Sequence, residues 1–102
     1  MNFDLNTRED ESVLSIVGEL DALSVQDLRP VIARIEDDRP SKVLVDLSRL
    51  RMIDSSGVGA IVSLFKKVKA YDGSLAVVGV RDQPLAILRL LQLDRVLAST
   101  SS

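Results

Sequence analysis

The sequence predicts an α/β fold, a mixed β-sheet of four to five strands with helices packed mainly on one face. Three observations carry that prediction. Short apolar runs at residues 13–17, 42–47 and 75–80 alternate with segments whose apolar residues recur at helical spacing. The run 42–47 is apolar almost throughout, the pattern of a central strand covered on both faces. A chain of 102 residues, 46% of them hydrophobic, is the size of one domain with one core, taken here as residues 1–102.

In chain order, Phe3 and Leu5 alternate with polar residues, residues 7–12 form a polar turn, and the run 13–17 ends at Gly18, giving a hairpin. The first helix is signalled by Ser24 as N-cap, with Asp27 three residues on and Leu23 and Leu28 at the staple positions. Leu28, Val31, Ile32 and Ile35 then mark its buried face. Pro30 lies inside this pattern and predicts a distorted helix, because proline deletes one hydrogen bond and crowds the preceding turn. Residues 37–41 lead to the strand at 42–47, and residues 48–53 read as a connector. The second helix starts near Ser55 and buries Val58, Ile61, Val62, Phe65 and Val68, with Lys66, Lys67 and Lys69 on its solvated surface. Residues 71–74 end it and 75–80 form a further strand. Asp82 with Pro84 opens a third helix through Leu85, Leu88 and Leu91. Right-handed crossovers are expected for this order. The small, polar residues 98–102 read as a flexible tail.

Composition narrows the chemistry. The chain has no cysteine and no histidine, which removes disulfides, thiolate catalysis, the usual zinc sites and every nucleophile paired with histidine. No carboxylate pair stands out as a general acid and base, so the chain does not read as an enzyme and calls for no cofactor or metal. A net charge of −2 with interspersed signs offers no basic stripe, and Phe3, Phe65 and Tyr71 are the only aromatic residues available for stacking, so direct nucleic-acid binding is not expected. The apolar runs are too short to insert in a membrane and the first residues lack a signal-peptide pattern, which predicts a cytoplasmic protein.

The chemistry-bearing run is Ile53-Asp54-Ser55-Ser56-Gly57-Val58-Gly59, between an apolar strand and an amphipathic helix. A helix N-terminus leaves backbone N–H groups without partners and is electropositive, so hydroxyls, carboxylates and phosphates are favoured there. One explanation is structural: Asp54 or Ser55 caps the helix, worth about 1 kcal/mol, and the glycines permit close packing. A cap needs one oxygen, however, and three candidates stand in a row. Gly57, Gly59 and Ala60 also strip bulk from the first turn, so that a partner surface or a kinase can approach Ser55. Met52 in the connector is either exposed or core filler. Gly57-Val58-Gly59 lacks the lysine and glycine pattern of a nucleotide cradle.

Residues 43–48 (Val-Leu-Val-Asp-Leu-Ser), followed by Met52-Ile53-Asp54-Ser55-Ser56-Gly57-Val58-Gly59, resemble the anti-sigma factor antagonists of the STAS family. Gly18-Glu19-Leu20-Asp21 is similar to that family's turn between the second strand and first helix, and residues 90–97 to the segment after its third helix. The resemblance runs in order along nearly the whole chain and implies a STAS-like fold. It also implies partner switching. An unphosphorylated antagonist binds an anti-sigma factor that is a serine-protein kinase, phosphorylation of the first serine of the motif releases it, and a metal-dependent serine phosphatase resets it.

Here the matching phosphorylation site is Ser55, a substrate residue rather than a catalyst, with Asp21, Asp54, Ser56 and Gly57 as partner-binding residues. Asp21 has a cap role of equal weight, and Ser56 reads as a local capping hydroxyl. ATP and a divalent metal belong to the kinase. Phosphate adds about −1.5 to −2 charge and three acceptor oxygens. At a contact surface that brings bulk, desolvation and repulsion from Asp54, and a loss of only ~1.4 kcal/mol weakens binding tenfold. Many family members continue past the equivalent of Val96-Leu97 into another amphipathic helix, whereas this sequence ends at Ser102, which predicts an apolar patch to be covered otherwise. Homodimerisation is compatible with this reading. The alternatives are a structural STAS subunit of a lipid-transport ATPase or signalling scaffold, and an enzyme using Ser55 as nucleophile, which needs a Lys or carboxylate base that no motif positions.

Overall fold

The computed structural model of the protein describes residues 3–93. Six strands and three helices follow one another as β1 (Phe3–Arg8), β2 (Glu11–Ile16), β3 (Gly18–Leu20), α1 (Ala22–Asp38), β4 (Lys42–Asp46), β5 (Leu50–Ile53), α2 (Ser55–Ala70), β6 (Ser74–Val78) and α3 (Asp82–Leu90). A mixed sheet is ordered β1-β2-β4-β6, and β3 and β5 form a separate two-stranded parallel ladder. The pair β1–β2 is antiparallel, whereas β2–β4 and β4–β6 are parallel.

The predicted hairpin is present, but its strands extend into the expected polar turn. Thr7 pairs with Ser12 and Arg8 with Glu11, so only Glu9 and Asp10 turn, with Glu9 at φ 55°. Thr7 and Ser12 also share a 3.2 Å hydroxyl hydrogen bond, which lets two polar side chains occupy sheet positions.

Register sets the two faces of the sheet. Leu14 lies opposite Val45 and Val45 opposite Val77, while Val43 lies opposite Leu75, and all five are buried in one cluster with Val25, Leu28, Ile32 and Ile35 of α1 and Val58, Ile61, Leu64 and Val68 of α2. The other face carries Val13, Leu44, Ala76 and Val78, of which only Ala76 is buried. The expectation that the central strand is covered on both faces is therefore met on one face only: among the described residues, α1 and α2 supply a single covering layer.

The first helix starts earlier than expected. Asp21, not Ser24, is its N-cap, and Ser24 takes the third helical position of a reciprocal capping box. The helix runs on through Pro30 to Asp38 and stops at Arg39, at φ 49° and ψ 52°. Residues 48–53 are not a plain connector either. Leu50–Ile53 pairs with Gly18–Leu20 as a parallel strand, and both are too short to show a period in sequence. The expected tail at 98–102 and residues 94–97 of the segment compared at 90–97 lie outside the described residues.

Candidate functional site

The ladder of β3 and β5 determines where the site forms. Glu19 pairs with Met52 and Leu20 with Ile53, and Asp54 N–H donates to the Leu20 carbonyl at 3.1 Å. Each strand then passes directly into a helix, β3 through Asp21 into α1 and β5 through Asp54 into α2. Because the strands are parallel and, past a register shift between Gly18 and Glu19, end level with each other at Leu20 and Ile53, the two helix N-termini open side by side.

Both ends are capped by aspartate in extended conformation. Asp21 Oδ1 accepts from the N–H groups of Leu23 (3.1 Å) and Ser24 (3.0 Å), and Ser24 Oγ accepts from Asp21 N–H at 2.8 Å. The Ser24 N–H holds the Asp21 carboxyl below its ordinary range, with partial burial opposing. Asp54 Oδ1 accepts from Gly57 N–H at 3.0 Å, and Val58 N–H donates to the Asp54 carbonyl.

This settles which of the three adjacent oxygens caps α2. Asp54 does, and Ser56 does not. The hydroxyls of Ser55 and Ser56 are exposed and have no intramolecular hydrogen bond among the described residues; nor do their backbone N–H groups. The sequence's surplus oxygens are thus real. One supports the helix, and two hydroxyls face solvent beside two free N–H donors.

Gly57 is buried, and packing inside the molecule explains it. A Cβ there would lie 2.6 Å from the Leu20 carbonyl oxygen and 2.8 Å from Ile53 Cγ1. The first turn of α2 rides directly on the β3–β5 ladder, which fixes where Ser55 points. Met52 is 51% exposed rather than core filler, and Arg51 is exposed in a loose 3.7 Å ion pair with Glu19. On the flank of α2, Lys66 and Lys69 are exposed as expected, whereas Lys67 pairs with Glu36 of α1 at 3.4 Å.

One supporting residue was not visible in the sequence. The Gln83 side chain accepts from Ile53 N–H through Oε1 at 2.9 Å and donates through Nε2 to the Ile53 carbonyl at 3.0 Å. Its amide serves β5 as one residue of a neighbouring strand would, immediately before Asp54. The only sequence signal is its position between Asp82 and Pro84, which marks the helix start and says nothing of β5.

The family model described as STAS domain matches residues 2–102. The chain belongs to the STAS domain family. Among its relatives, the anti-sigma-B factor antagonist of Staphylococcus aureus is 28% identical over 83 residues, covering 81% of this chain and 77% of that protein. Solved STAS structures share the fold. An anti-sigma factor antagonist from Mycobacterium paratuberculosis superposes with a TM-score of 0.82 at 23% identity, covering 92% of this chain and 80% of that one. The anti-sigma factor antagonist SpoIIAA in its unphosphorylated form gives 0.73 at 23% identity, covering 88% and 81%. The Bacillus cell fate determinant SpoIIAA in its phosphorylated form gives 0.68, again at 23%, covering 89% and 84%. The resemblance found in the sequence, and the mixed α/β fold it implied, are therefore correct. No described helix of this STAS domain is long and apolar enough to cross a membrane.

Proposed function

We propose that this STAS domain is an anti-sigma factor antagonist, a regulatory protein whose grip on an anti-sigma factor is controlled by phosphorylation of Ser55. The observation that carries the reading is the division of labour at the start of α2. Asp54 does the capping, which leaves the Ser55 hydroxyl exposed and without a hydrogen-bond partner among the described residues. A phosphoryl group on Ser55 would find the N–H groups of Ser55 and Ser56 free to receive it, so the fold tolerates the modification. The partner surface would not, because a dianion brings bulk and an unpaid desolvation cost into the contact.

In this reading the anti-sigma factor is a serine-protein kinase that supplies ATP and a divalent metal, a serine phosphatase restores the hydroxyl, and the exchange takes place in the cytoplasm. Asp21, Asp54 and Ser56 border Ser55 and form the contact, while Gly57 sets its height above the ladder. The chain is the substrate of that chemistry, not its catalyst. Three of the similar proteins, SpoIIAA among them, are named for anti-sigma antagonism, and SpoIIAA has been solved in both phosphorylation states, which supports the same reading.

The test is affinity capture from the native cell extract with wild-type, Ser55→Ala and Ser55→Asp baits, with bound proteins identified by mass spectrometry. A serine kinase or anti-sigma factor held by the first two and lost with Ser55→Asp is the expected result. If all three baits hold a transporter or scaffold component equally, Ser55 is not the control point and the chain is a structural STAS subunit.

A further inference from the structure

β1 is an edge strand of the mixed sheet, paired with β2 alone. The hairpin turn holds only Glu9 and Asp10, so Arg8 and Glu11 form the closely bonded pair beside it, and the bonding alternates from there. Arg8, Asn6 and Asp4 therefore turn their N–H and carbonyl groups toward β2, whereas those of Thr7, Leu5 and Phe3 point outward. No backbone partner meets that outward row among the described residues. Sheet proteins blunt such an edge with lysine, proline, a bulge or a cover. β1 has neither lysine nor proline and pairs with β2 through all six residues without a bulge. Its charges follow a symmetric pattern instead. Asp4, Asn6 and Arg8 share the open face of the sheet, opposite Ser15, Val13 and Glu11, and all three are exposed. Neither Asp4 nor Arg8 enters an ion pair among the described residues. On the helix side, Leu5 and Thr7 join Pro30, Val31 and Arg34 of α1 around a groove of about 330 Å³.

The geometry points to a second copy of this chain on the β1 edge, the two β1 strands pairing antiparallel about a twofold axis at Asn6. In that register Asp4 of each copy stands opposite Arg8 of the other, and Asn6 opposite Asn6. Leu5 of each copy stands opposite Thr7 of the other, and their outward N–H and carbonyl groups exchange backbone hydrogen bonds. Charge complementarity selects both occupant and register. An axis at Asp4 or at Arg8 sets like charges against each other, and an axis at Leu5 or Thr7 leaves them unmatched. The incoming Leu5, opposite Thr7, also brings an apolar side chain to the mouth of the α1 groove. The two four-stranded sheets become one continuous sheet. β1 contributes no residue to the Ser55 site, so the pair carries two such sites, and the inference stands independently of the switch reading.

Sedimentation equilibrium of the full chain is run on wild type, Asp4→Arg, Arg8→Asp and the double variant. Wild type is expected to show a monomer–dimer equilibrium. Each single variant should weaken it about tenfold, because both Asp4–Arg8 pairs turn repulsive at once, and the double variant should restore it to within about threefold. In wild type, amide exchange at Leu5 and Thr7 should slow as concentration rises, while Asn6, already bonded to β2, keeps its rate. This measurement needs no substitution, so it decides the matter even where a variant fails to fold. A wild-type chain that stays monomeric up to about 1 mM overturns the inference. So do a dimer that both single variants leave intact, a double variant as weak as the singles, and exchange at Leu5 and Thr7 that ignores concentration. Assembly that continues past the dimer overturns it too, since a twofold contact closes on itself.

Discussion

At position 57 a single methyl group decides whether Ser55 keeps its setting. Gly57→Ala drives a Cβ to 2.6 Å from the Leu20 carbonyl, a backbone atom that cannot swing aside. Overpacking of this kind costs about 1–3 kcal/mol. Ser55→Ala removes an exposed hydroxyl with no hydrogen-bond partner among the described residues and should change stability by less than about 0.5 kcal/mol. Urea unfolding of the two variants should therefore show a clear fall in midpoint for the first and none for the second. Equal midpoints would mean the ladder yields and does not hold α2 in place. At this scale the sequence was partly legible. The Asp-Ser-Ser-Gly run exposed a site, but three adjacent oxygens compete for one cap, and only the backbone path out of β5 awards it to Asp54. The same ambiguity moved the first cap. Ser24 and Asp27 have capping-box spacing, but so do Asp21 and Ser24, and the strand ending at Leu20 selects the latter.

The elements that build the site are the ones least visible in the sequence. β4 and the buried face of α2 were legible because five-residue apolar runs and repeated i, i+3, i+4 spacing average over many side chains. β3 and β5 have three and four residues, and their pairing depends on β2 and β4 delivering them to the same place. Their weak point is the outer edge of β5, where the Gln83 amide substitutes for a strand. Gln83→Ala would leave the N–H and carbonyl of Ile53, a residue 3% exposed, without those partners, at about 1–3 kcal/mol for an unsatisfied buried group. Hydrogen exchange at Ile53 and Asp54 should accelerate in this variant more than at Val43 and Val45 in the main sheet. Uniform acceleration would show that the Gln83 contact supports global stability and has no special role at β5. Gln83→Glu is expected to fare no better at neutral pH, since its carboxylate would face the Ile53 carbonyl with no proton to donate.

Across the whole molecule, α2 places the site and its opposite pole far apart. Its 16 residues separate Ser55 from Tyr71 by about 24 Å, in a molecule 32 Å in its longest direction. The far pole is stitched by contacts between distant parts of the chain. The Tyr71 hydroxyl donates to the Pro40 carbonyl at 2.7 Å, Ser41 N–H donates to Asp10 Oδ1 at 3.1 Å, and Ser74 N–H donates to the Ser41 carbonyl at 2.9 Å. Burial pushes the Tyr71 phenol up, with the Asp10 charge adding to it, and the Ser41 hydrogen bonds hold the Asp10 carboxyl down, so this pole keeps its protonation states across neutral pH. A phosphate at Ser55 is screened over roughly 8 Å at physiological ionic strength, a third of the distance to that pole. Its direct field therefore reaches the first turns of α1 and α2 and the β3–β5 ladder, and fades before Tyr71. Phosphorylated at Ser55, the protein should show amide chemical-shift changes concentrated at residues 18–24 and 50–60, with residues 10, 41 and 71–74 unmoved. Comparable shifts at both poles would mean that the switch works by rearranging the sheet. Shifts at the site alone would mean that it alters a surface on a fold that stays as it is, leaving recognition to the chemistry between the two helices.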